Sequence, residues 1–383
     1  MTAQPPFFAE HVGSLLRPDR LLKARMEAEG NQYEKVSGKR RFETLRELED
    51  ETILEAIALQ EAVGLRVATD GEFRRRSWYQ DFVLSLTGTA ISFLDPKKAT
   101  SVALPFRDDS TVEVLPAHIV HVTGKLQRNK SVLAEDFKYL LAHTKLVPKV
   151  SIPSPTIIHY WGGRAAIDTA AYPDIDQFWD DVVAIWTEEI RELHKLGCRY
   201  IQLDEVTLPM LCDPDSRTAL QRRGDEPLSV LSKYSEVISR ISKASPDDMT
   251  VGVHMCRGNN RGKWMASGGY DYIGEVALGT IDIDAFFLEY DSDRSGNFEQ
   301  LKHVPKSCAV VLGLISTKTP ILEAKDDLKR RISEAAEKSS LEQLRLSPQC
   351  GFASNFMGNP LTADDQRRKL ELVVEVAEEV WGR

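Results

Sequence analysis

Short apolar or β-branched runs alternate along the chain with longer stretches in which apolar residues return every three or four positions. Runs of the first kind, bounded by turn-forming residues, predict strands; the second spacing predicts amphipathic helices. Eight strands are predicted: Phe8–Ser14, Arg66–Phe73, Lys149–Pro155, Tyr200–Glu205, Thr250–Cys256, Ala285–Asp291, Ala309–Ser316 and Leu346–Gly351. Helices are predicted at Phe42–Val63, Ile175–Leu196, Leu228–Ser242, Ile321–Ala336 and Thr362–Trp381. In the first of these, Leu45, Leu48, Ile53, Ile57 and Leu59 fall on one face, as burial against a sheet requires.

Eight strands with intervening helices predict an α/β fold of the (β/α)8 TIM-barrel type, with its active site at the C-terminal strand ends. A doubly wound open sheet is the competing arrangement, but no G-x-G-x-x-G follows an early strand. Residues 74–147 break the alternation. Ala90–Leu94, Thr111–Leu115 and His118–Gly124 read as strands there, so a β-rich insertion after strand 2 is expected within one catalytic domain, 1–383.

Composition removes several classes. A chain of 383 residues buries enough core to need no disulfides, and five scattered cysteines read as reduced thiols. Asp and Glu number 58 against 49 Lys and Arg, a net charge of −9, which argues against nucleic-acid or membrane-surface binding. No apolar run approaches the roughly 20 residues that span a bilayer. Met1–Glu10 lacks a basic stretch followed by an apolar one, so no signal peptide is expected and the location is expected to be cytoplasmic.

Chemistry-bearing residues gather at the predicted strand ends: His11 and Ser14, Asp70 and Glu72, Asp204 and Glu205, His254 and Cys256, Glu289 and Asp291, and Cys350. Such groups are costly to bury unless they are paired or bind a ligand. His254 and Cys256 stand two apart in a strand and therefore point to the same side. Zinc takes imidazole nitrogen and thiolate sulfur in tetrahedral geometry; Cys350 and Glu289 stand at matching strand ends as further ligands. The plain alternative is a core histidine beside a small buried thiol, which is also the reading for Cys198, Cys212 and Cys308.

Asp70-Gly71-Glu72-Phe73-Arg74 and Asp204-Glu205 suit capture of a zwitterionic amino acid or, equally, a salt-bridged rim. Tyr160-Trp161 would stack on a flat heterocycle or pack in the interior. Ser316-Thr317-Lys318-Thr319 reads as an anion site or a rim ion pair. Asp291–Gly296 lacks the register and the downstream glutamate of a calcium loop.

Six segments in order resemble the cobalamin-independent methionine synthase family, in its short single-barrel branch. They are His11-Val12-Gly13-Ser14, Thr69–Arg74, Leu203-Asp204-Glu205, His254-Met255-Cys256-Arg257-Gly258-Asn259, Phe287–Asp291 and Ser347–Phe352. The resemblance implies a zinc-dependent S-methyltransferase of methionine biosynthesis. Zn2+ would be held by His254, Cys256, Glu289 and Cys350. Gly13 and Ser14 would take the homocysteine carboxylate, Glu72 and Asp204 its amine, and Tyr160 or Trp161 would stand near the pterin ring of the methyl donor. The methyl donor is left open between a methyl-folate, a methylated corrinoid protein and another electrophile.

The chain departs from the full-length synthases in three respects. It lacks their N-terminal half-barrel, the Arg-Cys pair that contacts the folate is not recognisable near His118–Gly124, and Gly313–Lys318 carries no histidine where they place a proton donor after strand seven, so the catalytic acid is unassigned. A half-sized chain is also expected to be able to pair as a homo-oligomer. A related branch resembles coenzyme M transferases that open epoxides with a thiol; Arg17, Arg74 and Lys318 are the cations available for its sulfonate. Glu72 and Asp204 favour an amino-acid thiol. A barrel that has kept its metal and lost its chemistry is the non-catalytic reading.

Overall fold

The computed structural model describes residues 4–29, 43–94, 102, 104–114 and 117–382. Its strands are β1 (Val67–Ala68), β2 (Thr87–Leu94), β3 (Phe106–Arg107), β4 (Val112–Glu113), β5 (Ala117–Gln127), β6 (Val147–Pro148), β7 (Val150–Pro153), β8 (Tyr200–Asp204), β9 (Thr250–Met255), β10 (Ala285–Glu289), β11 (Ala309–Ile315) and β12 (Leu344–Pro348). Strands β7 to β12 form one parallel sheet in sequence order. β6 runs directly into β7 and pairs in parallel with β1, while Ala9 bridges Leu346 of β12, also in parallel. Between the segments around Ala9 and β1 the links are a Thr69 hydroxyl donating to Gly13 O (2.6 Å) and Leu15 N–H donating to Gly71 O (3.1 Å).

Strands such as Ala285–Glu289 and Tyr200–Asp204 are buried along their whole length, as parallel strands covered on both faces must be. Alternate residues go to different clusters. Val67, Tyr200, Ala285, Phe287 and Val311 pack together in one cluster, and Ile201, Leu203, Phe286, Leu288, Val310 and Leu312 pack with the helices in another. That split follows from the two-residue side-chain period of a strand.

The helices cover the sheet by the same logic at a 3.6 period. Ile175–Lys195 buries Phe178, Trp179, Val182, Ile185, Trp186, Ile190 and Leu193 on one face, and its Asp174 side chain caps the first turn by accepting from Asp176 N–H. Each such apolar side chain stabilises the fold by roughly 1.5–3 kcal/mol through the area it removes from water. Among the described residues no helix is long and apolar enough to cross a membrane.

The first two predicted strands are far shorter than expected. Phe8–Ser14 contributes a single bridge at Ala9, and Arg66–Phe73 contributes only Val67–Ala68. Both segments turn away early, through Gly13 at φ +145°, Gly71 at +65° and Glu72 at +60°, conformations no strand accommodates. The helix predicted from Ile321 starts at Lys325, because Glu323 turns back to accept from Ser316 N–H and to pair with Lys369. Helices Asp19–Glu29 and Pro214–Arg223 were not foreseen, although Asp213, Pro214 and Gly224 give the second a recognisable start and stop.

Between β1 and β6, β2 pairs antiparallel with β5. Residues Val112–Glu113 pair with Phe106–Arg107 rather than with the longer ribbon, and Leu115 of the predicted strand lies outside the described residues. The same stretch also holds helices Gln80–Leu84 and Ala134–His143.

Candidate metal and substrate site

In register, Asp204 at the end of β8 sits beside His254 on β9, and Leu288 on β10 sits beside Met255. The strand ends therefore deliver their polar residues to one level. One ligand atom from each of His254, Cys256 and Cys350 lies within 4.8 Å of the other two, and all three residues are buried. The two sulfurs are 3.7 Å apart and both cysteines are free thiols.

The sulfur contact with Cys256 and the neighbouring His254 hold the Cys350 thiol well below its ordinary range against the cost of burial. The same contact, reinforced by burial, drives Cys256 far up. Burial depresses His254, but the Cys350 anion and Asp204 outweigh it and raise its pKa. Two cysteine sulfurs and an imidazole are thus packed where a cation would replace protons. The donor set fits zinc: two sulfurs and one nitrogen, with neither ring nitrogen of His254 meeting a hydrogen-bond partner of good geometry among the described residues.

Glu289 is held differently. Its Oε1 accepts from Arg294 Nη2 (2.5 Å) and from Lys318 Nζ (3.2 Å), and its Oε2 accepts from Arg257 N–H (2.7 Å). Burial opposes its charge, yet Lys318 and Arg294 hold the carboxyl far below the usual range. Three of the four expected ligands are brought together; the carboxylate of the fourth, adjoining them through Arg257, is committed to cations.

Ser14, Glu72, Asp204, His254, Cys256 and Cys350 all line one cavity of about 340 Å³. Trp78, Tyr79, Phe106, Trp161, Met210 and Met265 supply much of its apolar wall, and no Lys or Arg lines it among the described residues. Glu72 is a non-glycine residue in the left-handed region, a strain of about 1 kcal/mol or more that only a strongly constrained site sustains. Burial pushes its carboxyl up to about 7, with Asp204 adding to the rise and Arg75 opposing it. Burial also raises Asp204, which accepts from Gln202 Nε2 at 2.7 Å.

Gly13 shapes the site without lining the cavity. A Cβ there would stand 2.8 Å from Ser151 Oγ and 3.4 Å from Glu72 Oε1, and the positive φ turns the chain so that Ser14 enters. Gly351, next to Cys350, is required for the same reason: a Cβ on it would collide with Ser14 Oγ. Of the two adjacent aromatics only Trp161 reaches the cavity. Tyr160 is fully buried beneath it, edge-on to Trp161 with ring centres 4.9 Å apart, and its hydroxyl meets Ser216 Oγ at 2.7 Å.

The three cations considered for a sulfonate are all engaged elsewhere. Arg17 donates to the carbonyls of Glu72, Arg75 and Asn355, Arg74 pairs with Glu49, Asp50 and Asp136, and Lys318 pairs with Glu289 and Asp291. Sequence reasoning gave no role to Trp78, Tyr79 and Phe106, which lie in the stretch that breaks the β/α alternation. It quoted Asn259 in a motif without giving it one.

Fold and site place the chain among parallel α/β proteins that carry an imidazole–dithiol cluster at the strand ends. Residues 155–379 match the family described as cobalamin-independent synthase, catalytic domain, and the chain belongs to that family. The YxjH protein of Bacillus subtilis (strain 168) is 38% identical over 378 residues, covering 98% of this chain and 95% of that one. A methionine synthase of Pyrococcus abyssi is 25% identical over 293 residues, 76% of this chain and 72% of that one. Among solved structures, one described as a vitamin-B12-independent methionine synthase from Listeria monocytogenes is 31% identical and superposes with a TM-score of 0.73, covering 99% of both chains.

Proposed function

We propose that this chain, a methyltransferase by its family, transfers a methyl group from a methyl-folate to the thiol of homocysteine, giving methionine. The observation that carries the reading is one cavity lined both by the His254–Cys256–Cys350 cluster and by the carboxylates of Glu72 and Asp204. A soft metal site suits a thiol, and two desolvated carboxylates with no cation in the wall suit an ammonium group. An amino-acid thiol carries both. Among the described residues a sulfonate thiol would find no free cation in this cavity.

His254, Cys256 and Cys350 would hold zinc; Glu289, paired in this structure with Arg294 and Lys318, would serve as the fourth ligand only by giving up one of those partners. When bound, the ion supplies a positive charge that favours thiolate over thiol, whose ordinary pKa is about 8.5. Glu72 and Asp204 hold the amine, and Ser14 with the Gly13 turn meets the carboxylate. Trp161 offers its face to the flat ring of the donor. The apolar walls keep water out and fix the two substrates in line, which lowers the entropic part of the barrier. Sulfur then bonds to the methyl carbon while the nitrogen–methyl bond breaks, its electron pair passing to nitrogen, which takes up a proton. The eight strand segments are read as one (β/α)8 barrel over 1–383, with 74–147 inserted in it.

The test is direct. Purified zinc-loaded protein given homocysteine and 5-methyltetrahydrofolate should form methionine, detected by mass spectrometry. No methionine, together with no change at the zinc X-ray absorption edge on adding homocysteine, would remove the reading.

A further inference from the structure

Arg17 is buried, stands three residues beyond Ser14 and forms no ion pair among the described residues. Its guanidinium goes to backbone carbonyls instead. Nη2 donates to Glu72 O (2.5 Å) and Arg75 O (2.9 Å), and Nη1 donates to Asn355 O (3.2 Å) and Ala353 O (3.4 Å). One terminal nitrogen thus serves the loop that follows β1, and the other serves the loop that follows β12. The first loop brings Glu72 to the cavity and the second brings Cys350. Further along, the same two loops join backbone to backbone, with Trp78 N–H donating to Ser354 O (3.1 Å) and Phe356 N–H to Arg76 O (2.9 Å). Burial lowers the Arg17 pKa to about 10, with Arg25 adding to the fall, so the group stays charged at neutral pH.

Taking a guanidinium out of water is costly, and carbonyl oxygens return less than a carboxylate would. What this one supplies is geometry, because a planar, rigid fork bonds both loops well at only one separation. Glu72 needs such a hold. Its φ of +60° is a conformation that persists only where the surroundings over-determine it. Its peptide is gripped on both sides: the N–H donates to Asp70 Oδ1 (2.9 Å), and the carbonyl accepts from Arg75 N–H (3.0 Å) as well as from Arg17. We propose that Arg17 is a positioning residue that fixes the spacing between the Glu72 carboxylate and the thiol site at Cys350, and thereby selects homocysteine over cysteine. The inference rests on the function proposed above. An amino-acid thiol held by both sulfur and ammonium reports that spacing, since homocysteine carries one more methylene between them than cysteine does. A thiol without the amine, such as 3-mercaptopropionate, does not report it.

Calorimetric titration of zinc-loaded wild type, Arg17→Lys and Arg17→Met with homocysteine, cysteine and 3-mercaptopropionate tests this. Wild type should prefer homocysteine to cysteine by about tenfold or more, within the range that one methylene commands in a fitted site. In both variants weaker homocysteine binding should cut that preference to about twofold or less, while 3-mercaptopropionate affinity stays within about twofold of wild type. Lysine keeps the buried charge but has a single nitrogen where the fork has two, so it cannot grip both loops in the same way; it carries the test alone if the methionine variant does not fold. An unchanged preference in Arg17→Lys would overturn the proposal. So would equal losses for all three thiols, which mark a purely structural residue, and so would a wild type that binds cysteine as well as homocysteine. Wild-type protein that binds none of the thiols would overturn the proposed function and this inference with it; wild type that prefers homocysteine, with variants that match it, overturns this inference alone.

Discussion

Cys256 and Cys350 are 94 positions apart in the chain, and their sulfurs lie 3.7 Å apart. β9 and β12 are not neighbours in the sheet; they meet because each carries its cysteine just past its C-terminal end, to the level where His254 also points. A divalent cation binds such thiols as they give up their protons, so a close pair beside an imidazole is a ready donor set. Cys256→Ser and Cys350→Ser should each lower the zinc content of purified protein well below one per chain, read by elemental analysis. Full occupancy in both variants would remove the metal assignment.

Glu72 is expected to be ionised when it holds an ammonium group, and burial has moved its titration up to about 7. The sign follows from that. Below pH 7 the carboxyl is largely protonated and offers no charge, so homocysteine affinity should rise between about pH 6 and 8. Glu72→Gln should flatten that rise. It should also weaken homocysteine much more than 3-mercaptopropionate, which lacks the amine, by about tenfold or more for a lost charge-assisted contact. Equal losses for the two thiols would assign Glu72 a purely structural place.

Beneath Asp204 lies a short polar chain. Lys149 Nζ donates to Gln202 Oε1 at 3.3 Å, and Gln202 Nε2 donates to Asp204 Oδ1 at 2.7 Å. The ammonium only donates, so it decides which end of the Gln202 amide faces the carboxylate. Gln202→Met should therefore raise the homocysteine KM several-fold and change kcat little, since Asp204 loses an orienting partner outside the reacting atoms. Lys149 also pairs with fully buried Glu10 at 3.4 Å. Lys149→Met strands that carboxylate and should destabilise the fold by about 3–5 kcal/mol, measured by urea denaturation.

Much of this arrangement was legible before the fold. His254 and Cys256 share a side because a strand has a period of two, and Cys350 could be set opposite them because the helix–strand alternation fixed which end of each strand was which. Other parts were invisible for stated reasons. A glutamate in a sequence does not reveal that Arg294 and Lys318 will claim its carboxylate, as they do for Glu289. Tyr160 and Trp161 are equivalent as letters, and only the short helix Ile157–Tyr160 determines that one faces the cavity and the other Ser216. The first two strands were overdrawn because Gly13, Gly71 and Glu72 leave the extended region, and apolar alternation does not register a positive φ.

His159 gives the last prediction, on stability rather than binding. It is buried against Trp179, its Nδ1 stands 2.9 Å from the Tyr234 hydroxyl, and burial together with nearby Arg223 lowers its pKa to about 4. The unfolded chain takes up a proton near the ordinary value of about 6.5, whereas the folded chain refuses it until about pH 4. Between those values the unfolded state binds more protons, so stability falls as pH is lowered, by up to about 3 kcal/mol from this residue alone. His159→Gln keeps a hydrogen-bonding side chain for Tyr234 and cannot titrate. Its urea midpoint should therefore drop less than that of wild type between pH 7 and pH 4.5. A variant that loses as much stability as wild type over that interval would place the acid sensitivity elsewhere, in carboxylates such as Asp365 or Glu289 whose ion pairs and hydrogen bonds depend on charge.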